Sequence, residues 1–314
     1  MSVVALCSAK RSPGVSTLTC ALGAVWPAGR QVYVAECDPS GGDLAVRFGL
    51  NPRRGMTSLI LARRQRGEGV IELSPHLQPL PGGLEVLVGP MGPDAATALD
   101  QELAKLPESL FPLEADTIVD CGRVLPSAAG QRTVLERADK ILVLASADSS
   151  CLAHARWALE RMGTVVGRPD ATGLVLTGEK QFSANEVSET LGVEIYGNIP
   201  HDPRGAAAAC GVPSRAGAFA RSSLIAAARG IVHRILPPDA SDVGVRDSQR
   251  RDARAPSPAA KGHSRRQRRA DVEPLTDIQS SDEAPPRLVS HEPSGLDGAR
   301  SPGSGRESME VRGK

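Results

Sequence analysis

The six cysteines, at positions 7, 20, 37, 121, 151 and 210, include no C-x-x-C pair. Spread in this way they read as small buried hydrophobes in a reducing compartment, against a disulfide framework or a metal site. No apolar run approaches the roughly 18 residues that a membrane span needs. A strand-like stretch follows Met1 directly, without a basic leader region, so the chain is expected to be cytoplasmic, with association at the periphery of a membrane or nucleoid left open. Charge of one sign is missing too: 37 Lys and Arg stand against 36 Asp and Glu. No global field therefore selects nucleic acid or membrane, and any such contact has to come from a local patch. Lysine is scarce, with six in a chain that otherwise uses arginine.

What is present, from the start to about residue 236, is an alternation of apolar runs with helix-period segments. Strands are expected at 3–7, 31–36, 84–88, 117–119, 141–144, 173–176 and 194–199. Helices are expected at 16–26, 57–66, 95–106, 131–138, 150–162, 183–191 and 222–236, with a further one beginning near 43–48. This spacing predicts βαβ units and an α/β fold: a mostly parallel sheet with helices on both faces. The strands are continuous apolar runs, as a sheet covered on both faces requires. Arg63, Arg64 and Arg66 are read as a solvated helix face.

At 237 the composition changes. Residues 237–314 are rich in Pro, Ser, Gly, Arg and Asp and have almost no aliphatic clusters, so burial cannot offset the entropy of ordering them. The expected organisation is a domain over 1–236 followed by a disordered tail over 237–314. The tail's charges are blocked: nine basic residues over 246–269, then five acidic ones over 270–286. The block Arg265, Arg266, Arg268 and Arg269 is a candidate electrostatic contact for nucleic acid or anionic lipid, set against a solvated linker that binds nothing specific.

Ligands of open α/β sheets bind beyond the carboxyl ends of the strands, so the residues there carry the functional information. Three polar clusters fall at such ends: 10–17, Glu36 with Asp38, and Asp120. In the first, a strand feeds a turn and then a helix, which aims backbone N–H groups and the helix dipole at one point where an anion can sit. Gly14 and the Ser16-Thr17 pair fit that role. Set against the common pattern G-x-x-x-x-G-K-[ST], the stretch is a half-match, with Ala9 at the first glycine and Val15 at the lysine. Phosphoryl transfer needs backbone donors, a hydroxyl and carboxylate for magnesium, and a group that positions water. Gly14 with its neighbours, Ser16 with Asp120, and Asp38 supply these in turn. Taken singly, Asp38 and Asp120 also read as helix caps.

In this order the clusters resemble those of the MinD/ParA family of deviant P-loop ATPases. Residues 10–17, reading K-R-S-P-G-V-S-T, align without a gap with the family's K-G-G-x-G-K-[ST]-[ST]. Residues 32–39 resemble its strand ending in D-x-D-P, with Glu36 in place of the first Asp. Residues 117–120 resemble its Walker B strand, 138–144 its A-D-x-V-L-V-V strand, and 192–202 its segment beside the adenine. The resemblance implies ATP and Mg2+ as cofactors. Lys10 would reach the phosphates of a partner subunit in a nucleotide-sandwich dimer, and Asp38 would orient the hydrolytic water. It further implies nucleotide contacts at Lys10, Gly14, Ser16, Thr17, Pro200 and Asp202, and metal contacts at Ser16, Asp38 and Asp120.

The departures are specific. Val15 deletes the cis lysine, a charge that supports phosphate binding and the transition state. Arg11 and Ser12 replace glycines, Pro13 removes an N–H donor, and Thr177 stands where the family often has an Asn against adenine. Arg11 is a candidate replacement for the lost charge. The expected function is a weak or degenerate ATPase, forming a nucleotide-dependent homodimer and acting with a protein partner in positioning, partitioning or assembly. The alternative is a non-hydrolysing scaffold of the same fold that localises a pilus or secretion machine. An ATP-dependent ligase or an iron-protein reductase is disfavoured, since the one would keep the cis lysine and the other needs paired ligand cysteines. The helix at 222–236 carries Leu224, Ile225, Ala228, Ile231, Val232 and Ile235 on one face; a core role is favoured over membrane docking.

Overall fold

A computed structural model of the chain describes residues 1–236, except 11–12, 67–70, 106–110, 112–113, 126, 166, 168, 179–180 and 216. The tail with its arginine block, and Arg11 with Ser12, lie outside the described residues.

The elements run β1 (Val3–Ser8), α1 (Val15–Ala24), β2 (Val32–Glu36), α2 (Leu44–Phe48), α3 (Met56–Arg66), β3 (Gln78–Pro79), β4 (Glu85–Leu87) and α4 (Pro93–Leu103). They continue as β5 (Asp116–Arg123), α5 (Ala129–Arg137), β6 (Lys140–Ser146), α6 (Ser149–Val165), β7 (Thr172–Thr177), α7 (Ala184–Leu191), β8 (Glu194–Ile199), α8 (Pro203–Ala209) and α9 (Ser223–Ile235). The eight strands form one sheet in the order β3-β4-β2-β5-β1-β6-β7-β8. Every pairing is parallel except that of the two-residue β3 with β4.

All six residues of β1 are buried, and their alternation splits the core in two. Val3, Ala5 and Cys7 face a cluster completed by α3 to α7, while Val4 and Leu6 face one completed by α1, α2, α8 and α9. The six apolar residues expected along α9 are all buried, so this face belongs to the core. Five of the six cysteines are buried and all are free; Cys210 is half-exposed.

Besides the short β3, which was not expected, two features near the strand ends depart from the sequence reading. The helix α8 was not anticipated: its Ala-rich run has no strong period, and it starts because Asp202 caps it and Pro203 fits its first turn. The strand β5 does not close at Asp120 but runs through it, because neighbours on both sides extend the ladder: Asp120 is in register with Leu6 of β1 and with Glu36 of β2. The order of strand addition reverses around β1, with β5 and β2 to one side and β6 to β8 to the other. That reversal is the switch point at which ligands of such sheets bind.

Candidate functional site

The loop after β1 enters α1 through Gly14, whose φ of 97° is a left-handed conformation that glycine adopts without a Cβ penalty. No side chain caps this helix end and its first turn carries no acid. The first intrahelical bond runs from Leu18 N–H to the Gly14 carbonyl, 2.8 Å, so the turn's earlier N–H groups point out of the helix end. Val15, in the place of the cis lysine, is 6% exposed and packs into the core cluster around α1.

Beside this helix end lie three carboxylates. Glu36 and Asp120 are cross-strand partners, 1% and 0% exposed. Glu36 accepts from the N–H groups of Asp43 (2.7 Å), Leu44 (3.0 Å) and Gly89 (2.9 Å), tying the loop after β2 to the loop after β4. Burial pushes its carboxyl up to about 7, against the pull of these N–H groups. Asp120 accepts from Gly122 N–H through Oδ1, 2.9 Å, while its buried Oδ2 has no hydrogen-bond partner among the described residues. Burial pushes Asp120 up to about 6; the nearby Ser16 hydroxyl pulls it back without satisfying Oδ2, and the charge of Asp38 raises it further.

Asp38 is not a helix cap. Its Oδ1 accepts from Ser40 N–H, 2.7 Å, in a local turn, and partial burial raises its carboxyl. The carboxylate lies over Gly122, where a Cβ would fall 2.0 Å from Asp38 Cγ. Gly122 has φ 57°, so both conformation and space require glycine there. A glycine inside a strand is the usual mark of such a close approach; with the strand expected to end before Asp120, the sequence reading did not single Gly122 out.

A cleft of about 290 Å³ opens next to the helix end, and Gly14, Thr17, Thr177, Pro200, His201 and Asp202 all line it. Loops after β1, β7 and β8 thus converge on one space. The Asp202 carboxylate itself is engaged by Gly205 N–H (2.8 Å), Leu224 N–H (3.1 Å) and Ser223 Oγ (3.0 Å), which fastens α8 to α9. A groove of about 530 Å³ between α7 and α9 along the β8 edge is larger and takes in residues 194–198, but none of the candidate site residues lines it. The smaller cleft lies beyond the carboxyl ends of the strands, where this architecture places ligands.

Lys10 is apart from these groups. Its Nζ lies 2.9 Å from His154 Nε2 on α6, a contact that requires a neutral ring accepting at Nε2. Neither His154 nor Arg47, which meets the half-exposed Cys210 thiol at 3.3 Å, stood out in the sequence, since nothing in either one's local pattern separates it from an ordinary surface residue.

The residues present fit magnesium. An unpartnered buried carboxylate oxygen beside a hydroxyl and a second carboxylate is the donor set this cation takes, with substrate phosphate completing it. The described residues contain no cluster of three or more His, Cys, Asp or Glu that would hold a metal on its own.

No protein-family profile matches the chain. No curated protein matches it in sequence. Solved structures do match. The cell division ATPase MinD of Pyrococcus furiosus superposes with a TM-score of 0.60 at 18% identity, over 74% of this chain and 98% of that one. MinD of Pyrococcus horikoshii, complexed with Mg-ADP, gives 0.60 at 17% identity over 75% and 96%. A ParA family ATPase from Chlorobium tepidum gives 0.61 at 16% identity over 75% and 98%. The chain therefore has the fold of the MinD/ParA-type P-loop ATPases.

Proposed function

We propose that the protein binds ATP with magnesium in the cleft beyond β1, β7 and β8, hydrolyses it slowly or not at all, and acts as a nucleotide-gated dimer that positions or assembles a cellular structure. The observation that carries this reading is the convergence of Gly14, Thr17, Pro200 and Asp202 on one cleft at the amino end of α1, the helix whose Ser16 neighbours Asp120 with its orphaned oxygen. A structural neighbour, MinD of Pyrococcus horikoshii, is complexed with Mg-ADP, which supports the same chemistry here.

In this reading the N–H groups of the α1 amino end hold the phosphates, and Thr17 adds its hydroxyl. Ser16 and Asp120 hold magnesium, with Asp38 beside them. Magnesium when bound offsets phosphate charge and polarises the transferring group. Asp38, held by Ser40 N–H over Gly122, orients the attacking water. Lys10 leaves His154 to reach a second copy. Binding is weak because Val15 contributes no charge.

Calorimetric titration of the full chain with ATP and Mg2+, together with a phosphate-release assay and size-exclusion chromatography, tests the proposal. Saturable magnesium-dependent binding, slow release abolished by Asp38→Ala, and ATP-dependent dimerisation are expected. Release that persists unchanged in Asp38→Ala removes its assigned role, and absence of binding removes the reading. The burial of Val15 favours a second reading, a non-hydrolysing scaffold of a secretion or pilus machine. There the oligomeric state would be the same with and without ATP.

A further inference from the structure

The loop after β1 is short of positive charge. Val15 is turned into the core, and Lys10 is taken up by His154. A nucleotide would still have to place its phosphates beside Asp38 and Asp120, whose charges oppose them. The fold supplies a cation from another direction. Arg47, in the last turn of α2, places Nη1 3.3 Å from the Cys210 sulfur, and the same sulfur lies 3.4 Å from Thr17 Oγ1. One thiol therefore separates this guanidinium from a hydroxyl in the first turn of α1.

This position is built by the fold. Glu36 fixes the start of α2 through Asp43 and Leu44 N–H. At its other end α2 lies against the end of α8: a Cβ on Gly211, which has φ 88°, would sit 2.7 Å from the Arg47 carbonyl oxygen and 2.9 Å from the Phe48 ring. The guanidinium's present partners are weak ones. A thiol sulfur is a poor acceptor, and the carboxylate of Asp43, 2.9 Å from Nη2, is 68% exposed, so water competes for it. Arg47 is 29% exposed, with two donor nitrogens free to exchange these partners for phosphate oxygens, which match the planar fork far better.

We propose that Arg47 is a phosphate-binding residue that supplies, from α2, the cis positive charge absent at Val15. This rests on the nucleotide reading above. Glu36 ties the helix that carries this cation to the loop after β4.

The test is calorimetric titration of the full chain, with Mg2+ present, by ATP, ADP, AMP and adenosine in turn, on wild type and on Arg47→Ala, Arg47→Lys and Asp43→Ala. Arg47→Ala is expected to weaken ATP binding about tenfold or more, as loss of a charge-assisted pair does. Its effect should shrink along the series and vanish with adenosine. Arg47→Lys should recover part of the loss, and Asp43→Ala, which frees the guanidinium, should keep or tighten ATP binding. Thermal unfolding checks that the variants fold, and Arg47→Lys carries the same ladder of ligands where Arg47→Ala does not. Equal losses for ATP and adenosine, or unchanged ATP binding in a folded Arg47→Ala protein, overturn the assignment and leave the nucleotide reading standing. A wild-type protein that binds none of the four overturns both.

Discussion

The two aspartates of β5 stand four positions apart on one strand, both sealed from water, and they are treated in opposite ways. Asp116, 2% exposed at the strand's start, accepts from Trp26 Nε1, from the Arg30 guanidinium and from Ser2 N–H. Burial alone would raise its carboxyl, yet these donors hold it below its ordinary value. Asp120, fully buried near the far end, keeps one oxygen without a partner, has Glu36 and Asp38 as neighbours, and is raised to about 6. A buried carboxylate with its donors in place is a structural fastening. One that the fold leaves unsatisfied costs stability until something positively charged binds there. The amino ends of the strands hold the sheet together, and the carboxyl ends hold the site.

The comparison breaks most visibly at Asp116. Asp116→Ala removes the acceptor shared by the Trp26 N–H, the Arg30 guanidinium and the Ser2 N–H and should cost about 3 kcal/mol in urea unfolding, as leaving a buried donor unsatisfied does. Asp120→Asn should act in the other direction. It keeps an acceptor for Gly122 N–H and removes a desolvated charge, so without magnesium it should stabilise by about 1–3 kcal/mol at neutral pH while abolishing magnesium-dependent nucleotide binding. If both substitutions destabilise alike, the distinction between the two ends fails.

The pH dependence carries the same contrast. Asp116 has a folded value below its unfolded one, so its stabilisation is in place above the unfolded value of about 3.9 and is lost as pH falls through the lower folded value. Asp120 has a folded value above its unfolded one, so the folded state retains the proton longer. Its cost to stability grows as pH rises from about 4 towards 6 and is constant beyond that. Unfolding free energies of wild type minus Asp120→Asn, measured against pH without magnesium, should trace that curve.

The smallest change tests how closely the site is fitted. Gly122→Ala puts a methyl into Asp38 at a left-handed φ of 57° and should cost about 1–2 kcal/mol. Since Asp38 has to move aside, any ATP turnover should fall to the level of Asp38→Ala. A phosphate-release assay on the folded variant reads this directly, and turnover at the wild-type level would show that Asp38 does not act from this position.

Much of this architecture was legible beforehand for a local reason. Continuous apolar strands such as 3–7 and 141–144, separated by amphipathic helices, admit few arrangements besides a parallel sheet with two covered faces. The candidate residues Gly14, Ser16, Thr17, Asp38 and Asp120 were found because such sheets confine ligands to the strand ends. The helix α8 was missed because an alanine run carries no face; Asp202, which caps it and also bonds α9, lines the cleft as well.

By itself, then, the chain's pattern determined the layering, the strand ends and the lack of a lysine at Val15, since all three are properties of neighbours along the chain. Only the tertiary structure decided the rest: that Glu36 clamps two loops, that Gly122 yields space to Asp38, that Lys10 meets His154, and that Arg47 stands one thiol from Thr17. Each of these joins residues that are far apart in sequence. Their meeting depends on strand order and on where helices α2, α6 and α8 come to rest against the sheet, which no local periodicity encodes.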